Sequence, residues 1–224
     1  MTPASLAGLR IVVSAGPTFE DLDPVRFIGN RSSGKMGFAI AAAAARRGAE
    51  AVLVAGPVQL PTPEGVRRVD VRSAAQLRDA VVAALPADVY IGAAAVADWT
   101  PRSVAAHKLK KTEGVETLAL ELVRTPDTLA EVAAHRQRPR LVVGFAAETG
   151  DVERHARAKL ANKRLDLIAA NQVGVAGSGF ESDDNALVVY GPGVECALGP
   201  APKTQLADQL LDLVLRQLAV EPRP

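Results

Sequence analysis

The sequence predicts an α/β protein: a Rossmann-like, doubly wound, mainly parallel sheet with an added β-hairpin. Two observations carry that prediction. Continuous apolar runs rich in valine, isoleucine and alanine, the pattern of strands buried on both faces, alternate with helix-like segments. Near the C-terminus, ALVVYGPGVECAL reads as a hairpin around Gly191-Pro192-Gly193. A core rich in alanine and valine, with only 4% aromatic residues in the chain, also needs closely packed helices on β-branched strands.

In chain order, LRIVVSA from Leu9 is a buried parallel strand stopped by Gly16 and Pro17, and a long polar loop then runs to Gly34. KMGFAIAAAAARRG is a helix with small residues inside, arginines in its last turn and Gly48 at its C-terminal cap. AVLVAGP (Ala51 to Pro57) and VRRVDV (Val66 to Val71) are strands, and Ser73 with Gln76 signs a capping box for a helix to about Leu85. DVYIGAAAVAD (Asp88 to Asp98) is a strand running into a loop. WTPRSVAAHKLKKTEG has no clear period, whereas LALELV (Leu118 to Val123) alternates like a strand. Thr125-Pro126 reads as an N-cap followed by proline at the first helical position, opening a helix to about His135. RLVVGFAAET (Arg140 to Thr149) is a strand, Asp151 to Lys163 a helix, LDLIAAN (Leu165 to Asn171) a strand and Lys203 to Leu218 an amphipathic helix.

The length of 224 residues suits a single domain, 1–224, with short flexible ends at about 1–8 and 219–224. No internal repeat or linker interrupts it. Twenty-six basic against 25 acidic residues leave a net charge of +1, which argues against a polynucleotide partner. A single cysteine, Cys196, excludes an internal disulfide framework and a cysteine-cluster zinc site. The longest apolar run is cut short by Arg46, Arg47 and Gly48, so no membrane segment is expected and the reading is a cytoplasmic protein.

In a doubly wound sheet, ligands sit at the carboxyl ends of the strands, so the loops after Val13, Gly92, Phe145 and Asn171 should face one cleft. Four groups of residues bear on what that cleft binds. GNRSSGKMG fits a P-loop up to Lys35 and then fails, because Met36 stands where Ser or Thr would hold magnesium. Two readings remain for it: glycines with Ser32 and Ser33 that present backbone N–H groups to an anion, or Gly34 and Gly37 that only let a helix pack closely. HKLKK, with Lys108, Lys110 and Lys111, is either a solvated turn or a mobile clamp on a triphosphate. Asp98, after the small residues of GAAAVAD, either touches a ligand or caps a turn. Lys159 and Lys163 share one helix face at i, i+4, as a ligand pair or a solvated face. Asn171 is a polar group at a strand end or a turn residue, Cys196 reads as a packed thiol, and no histidine is assigned a metal role.

Taken in order, AGPTFEDLDPVRFIGNRSSGKMGFAIA, GAAAVADW, HKLKK, VGFAAET and LIAAN with GFESDDNAL resemble the phosphopantothenate–cysteine ligase (phosphopantothenoylcysteine synthetase) family of the bacterial, CTP-using type, from about Leu9 to Leu218. The resemblance covers the ligase only, without the flavin-dependent decarboxylase to which it is usually fused. It implies an enzyme that joins 4′-phosphopantothenate to L-cysteine through an acyl-cytidylate, releasing pyrophosphate and CMP. It implies magnesium with CTP, no flavin on this chain, a homodimer, and a phosphopantothenoylcysteine decarboxylase as fused or separate partner. The metal ligands are not assigned.

Residue by residue, the resemblance places Asn30 at the acyl-cytidylate and phosphopantothenate, with Ser32, Ser33 and Gly34 beside it. Lys108 matches a lid lysine on the CTP phosphates. The nucleotide pocket is matched by Gly92, Ala93, Ala94, Asp98, Pro126, Asp127, Thr128, Leu129, Phe145, Lys159 and Lys163. The rival readings are a nucleotide-binding Rossmann-like module without ligase activity, and an ATP-using ligase. A P-loop phosphotransferase is opposed by Met36.

Overall fold

The computed structural model describes residues 4–111, 113–114, 116–148, 150–172 and 182–220. Thr149, the start of GFESDDNAL and the closing EPRP lie outside them. The chain runs β1 (Arg10–Ala15), β2 (Phe19–Asp21), β3 (Phe27–Gly29), α1 (Lys35–Arg46), β4 (Glu50–Ala55), β5 (Val66–Asp70), α2 (Ala74–Ala83), β6 (Val89–Gly92) and β7 (Trp99–Pro101). It continues through β8 (Leu122–Arg124), α3 (Thr128–Ala133), β9 (Leu141–Glu148), α4 (Val152–Asn162), β10 (Leu167–Gln172), β11 (Asp184–Gly191), β12 (Val194–Pro202) and α5 (Lys203–Val220).

The apolar runs resolve into one sheet of eight strands, ordered β12-β11-β10-β9-β6-β1-β4-β5. The six from β10 to β5 are parallel, and β11 and β12 form the antiparallel hairpin at one edge. The chain moves outward from β1 to β4 and β5, then returns to the other side of β1 as β6. That reversal opens a crevice at the carboxyl ends of β1 and β6, where such sheets bind ligands. Strand periodicity divides the core: Ile11, Val13 and Ala15 pack with α1 and α5, while Val12 packs with α2, α3 and α4.

Small residues set how closely α1 lies on the sheet. A Cβ at Gly37 would stand 2.4 Å from the Ala15 Cβ, and Gly34, which precedes the helix, has φ 75°. At the other end, the nearly buried Arg47 guanidinium donates to Asp212 Oδ1 at 2.6 Å and to the Ala4 carbonyl at 2.8 Å, which ties α1 to α5. The expected capping box at Ser73 and Gln76 is present, and the buried Glu20 carboxylate accepts a further N–H of that turn, from Ala74, at 2.8 Å.

Four expectations need revision. The loop before Gly34 holds a short antiparallel ribbon, β2–β3, closed by Asp23, whose carboxylate accepts the Val25 and Arg26 N–H groups at 2.8 Å each. Of Leu118 to Val123 only the end is paired, as β8, because its partner β7 is three residues long. The helix expected from Thr125-Pro126 is capped by Asp127, which accepts the Ala130 N–H at 3.1 Å, while the Thr125 hydroxyl is spent on the Ala97 carbonyl at 2.6 Å. At the start of the chain, Leu6 is fully buried and donates its N–H to the Arg47 carbonyl at 2.8 Å, so it is docked rather than loose. Among the described residues, no helix is long and apolar enough to cross a membrane.

Candidate functional site

A cleft of about 910 Å³ opens across the carboxyl ends of β1, β6, β9 and β10. Ser14, Gly92, Phe145 and Asn171 mark those four strand ends on its wall, as the alternation of elements predicts. The loop leaving β6 forms its floor. The Ala93 N–H donates to the Ser14 carbonyl at 3.0 Å and the Ala95 N–H to the Gly16 carbonyl at 2.8 Å, so the loop continues the parallel pairing beyond the strand. The buried Thr18 hydroxyl takes the Ala97 N–H at 2.9 Å. Glycine at 92 lets Leu129 close on the strand end, since a Cβ there would stand 2.7 Å from Leu129 Cδ2 and displace that side chain. Beneath it, the hydroxyls of Ser14 and Tyr90 share a hydrogen bond of 3.0 Å. Burial first, and Asp127 in addition, push the Tyr90 phenol up to about 12, against the hydrogen bond from Ser14, so it is neutral.

On one side stand the lysines of α4. Lys159 Nζ donates to the Phe145 carbonyl at 2.7 Å, and Lys163 pairs with Asp127 at 2.7 Å. Burial, then the charge of Lys163, lower the proton affinity of Lys159, while Glu148, Asp127 and Asp98 partly restore it. Thr128, also on this wall, has a buried Oγ1 with no hydrogen-bond partner among the described residues. Opposite, the loop ahead of α1 brings in Asn30, Ser32, Ser33 and Gly34. Asn30 Nδ2 donates to the Val96 carbonyl at 2.9 Å and lies 3.4 Å from that of Ala95, which ties this loop to the floor. Carbonyls only accept, so this contact fixes the amide with its nitrogen toward the floor and leaves the side-chain oxygen as an acceptor.

All the site residues expected from the sequence line this cleft, Pro126 and Leu129 included, except Lys108. Lys108 is exposed on a segment fastened to the β2–β3 turn: the Leu109 N–H donates to Asp23 Oδ2 at 3.0 Å, and Arg26 Nη2 donates to the Leu109 carbonyl at 2.5 Å. Burial opposes ionisation of Asp23, but the hydrogen bonds from Leu109, Arg26 and Val25 outweigh it and hold the carboxyl well below the usual carboxylate range. Sequence reasoning missed Lys203 and Asn185, also on the wall. Asn185 stands near the start of β11, paired with Ala201 of β12, and Lys203 opens α5 directly after β12, placements that no local pattern reveals. The remaining lysine of the GNRSSGKMG stretch, Lys35, lines the cleft too, and Asn171 is settled as a cleft residue.

The geometry therefore assembles, in one crevice, a run of backbone amides, a polar loop at a helix start and partly buried lysines, an arrangement suited to polyanions. A family model described as the DNA/pantothenate metabolism flavoprotein C-terminal domain matches residues 6–218, nearly the whole of this unit. The chain belongs to that family. The DNA/pantothenate metabolism flavoprotein C-terminal domain here is 49% identical over 96% of its length to the Coenzyme A biosynthesis bifunctional protein CoaBC of Vibrio cholerae, covering 54% of that protein. It is 52% identical over 92% of its length to the protein of the same name in Escherichia coli strain K12, covering 51%. The chain thus spans about half the length of these curated relatives. Among solved structures, the crystallised C-terminal domain of a CoaBC protein superposes with a TM-score of 0.81 at 37% identity, covering 96% of this chain and 98% of that one. A Cab2 mutant, H337A, in complex with phosphopantothenate-cysteine, shares the fold at 15% identity and a TM-score of 0.76, over 95% of this chain and 87% of that one.

Proposed function

We propose that this chain is a CTP-dependent phosphopantothenate–cysteine ligase of coenzyme A biosynthesis. The observation that carries the reading is the convergence of Asn30, the Ser32–Gly34 loop, the Gly92–Ala94 backbone and the Lys159–Lys163 pair on one cleft in a member of this family. The names of the half-matched relatives place them in coenzyme A biosynthesis and support the same assignment.

In the proposed reaction, the carboxylate of 4′-phosphopantothenate attacks the α-phosphorus of CTP. A P–O bond forms, pyrophosphate leaves, and an acyl-cytidylate remains. The neutral amine of L-cysteine then attacks the acyl carbon, the C–N bond forms, the acyl C–O bond to phosphate breaks so that CMP leaves, and the nitrogen gives up a proton to solvent. The chain needs to supply no nucleophile, only position and charge. Lys159 and Lys163 offset the phosphate charge in a partly desolvated wall, where each cation acts more strongly than in water. The Thr128 hydroxyl and the Gly92–Ala94 backbone hold the nucleotide. Asn30 accepts a hydrogen bond from the incoming cysteine amine through its amide oxygen, since its amide nitrogen donates to the Val96 carbonyl. Lys108 acts only if its segment leaves the β2–β3 turn.

Among the described residues, no three His, Cys, Asp or Glu side chains converge to hold a metal. Asp98, Asp127 and Glu148 are the carboxylates on the wall that would face magnesium brought in on the triphosphate, where the ion would offset phosphate charge. A homodimer is the proposed assembly, in keeping with the large apolar side chains that β3 and the β7–β8 region expose: Phe27 at 45%, Trp99 at 47% and Leu118 at 62%. A decarboxylase, fused or separate, is the proposed consumer of the product, and the cytoplasm the proposed location.

Thermal denaturation distinguishes this reading from an ATP-using ligase and from a Rossmann-like module that binds a dinucleotide. CTP with magnesium at about a hundred times its dissociation constant is expected to raise the melting temperature by roughly 5–10 °C, more than ATP at the same concentration. A larger shift with ATP favours the ATP-using ligase, and a larger shift with NAD the dinucleotide module.

A further inference from the structure

Two buried hydroxyls beneath the floor of the cleft have no task in the mechanism above. Ser14 lies at the carboxyl end of β1 and Tyr90 in β6 beside it, and both line the cleft. Each is 1% exposed. Strand alternation puts them on the face of the sheet that packs with α2, α3 and α4, where Tyr90 shares a core cluster with Val12, Val132, Val142 and Ile168. In such surroundings a hydroxyl costs stability unless it is hydrogen-bonded.

The two hydroxyls meet at 3.0 Å, and among the described residues neither side chain makes another hydrogen bond. The Tyr90 phenol is neutral, so the pair carries two protons. Their shared bond uses one of them, whichever oxygen donates. The second proton is left for whatever occupies the cleft that both residues line. Thr128, next in sequence to Leu129, brings a further buried hydroxyl to the same cleft, likewise without a hydrogen-bond partner among the described residues.

The surroundings of the pair say which part of a ligand takes that proton. A Cβ at Gly92 would stand 3.4 Å from the Tyr90 hydroxyl, so the small residues of the floor and Leu129 lie directly beside it. The charge that acts on Tyr90 is the carboxylate of Asp127, a setting that disfavours phosphate at the hydroxyls. Small and apolar neighbours with neutral hydroxyls suit a flat, uncharged ring whose edge carries hydrogen-bond acceptors. A nucleobase has that chemistry: cytosine presents a ring carbonyl oxygen and a ring nitrogen. We propose that the Ser14–Tyr90 hydroxyl pair donates a hydrogen bond, through its second proton, to the base of the nucleotide substrate. The pair thereby fixes the base at the floor while Lys159 and Lys163 hold the phosphates. This inference rests on the nucleotide part of the ligase reading.

The test compares wild type with Tyr90→Phe, Ser14→Ala and the double variant, each of which removes oxygen and adds no bulk. Calorimetry measures binding of CTP and of ribose 5-triphosphate, which keeps the sugar and the phosphates but lacks the base. The double variant is expected to bind CTP about tenfold more weakly, with affinity for ribose 5-triphosphate within about twofold of wild type. A purely structural role would move both ligands together or neither. A folded double variant with unchanged CTP affinity, or with equal losses on the two ligands, overturns the proposal. If the double variant does not fold, the single variants are read by the same criteria: a loss confined to CTP in either one supports the proposal, and its absence from both overturns it. A wild-type chain that binds neither CTP nor ATP refutes the nucleotide reading and this inference with it. A wild type that binds CTP, with variants that bind it equally well, refutes this inference alone.

Discussion

Replacing Asn30 by aspartate is expected to slow amide formation by ~100-fold or more while lowering the melting temperature by only a few degrees. Asn30 is exposed, so little packing is lost. What changes is the contact with the floor. The Asn30 amide nitrogen donates to the Val96 carbonyl at 2.9 Å, and an aspartate has no proton to give there. A carboxylate facing carbonyl oxygens turns away, the Ser32–Gly34 loop loses its tie to the β6 loop, and a negative charge enters a site built for anions. Single-turnover measurement of amide product, alongside a melting curve, checks this. A wild-type rate in the variant would remove Asn30 from the reaction.

Lys159→Gln is expected to reduce kcat/KM for CTP by ~100-fold, because a charge that faces phosphate in a partly dry wall is lost. The wild-type pH profile should carry a matching signature. Burial and the neighbouring Lys163 lower the proton affinity of Lys159, so it discharges below the ordinary lysine value of 10.5. Nucleotide affinity should therefore fall on the alkaline side as Lys159 loses its proton, and that limb should be absent from Lys159→Gln. Stability of the free protein runs the other way. In the window between the lowered folded value and 10.5 the unfolded chain binds more protons, so this group's contribution makes stability rise with pH. Opposite slopes for affinity and stability separate Lys159 from a lysine that serves structure alone. CTP affinities and melting temperatures across the same alkaline range test it.

Much of the framework was legible in the residues. The buried runs of β1, β4, β6, β9 and β10 read as strands because parallel strands covered on both faces leave uninterrupted apolar sequence. The rule that ligands sit at strand carboxyl ends then located the cleft, and the family resemblance named nearly all of the expected residues on its wall. What escaped depends on contacts distant in sequence. The β2–β3 ribbon has strands of three residues, too short for a period, and is held by Arg72, which pairs with Asp21 at 2.6 Å and lies over the stacked rings of Phe19 and Phe27. The sequence pattern puts the helix cap at Thr125, two positions early, because Thr125 and Asp127 are both good caps and only the distant Ala97 carbonyl decides which is used. Lys203 reads as the first residue of an amphipathic helix, and its burial with the ammonium on the Ser182 carbonyl is a contact that the helical pattern does not show. Lys108 shows the converse limit. Its motif is clear, but its placement is set by Asp23 and Arg26, more than 80 residues away in sequence.

The measurement that tests the central claim most directly is turnover by the purified chain supplied with phosphopantothenate, L-cysteine, magnesium and either CTP or ATP. The account predicts 4′-phospho-N-pantothenoylcysteine, CMP and pyrophosphate in equal amounts with CTP, and slower product formation with ATP. Absence of the amide product with both nucleotides, from a folded protein, would contradict it.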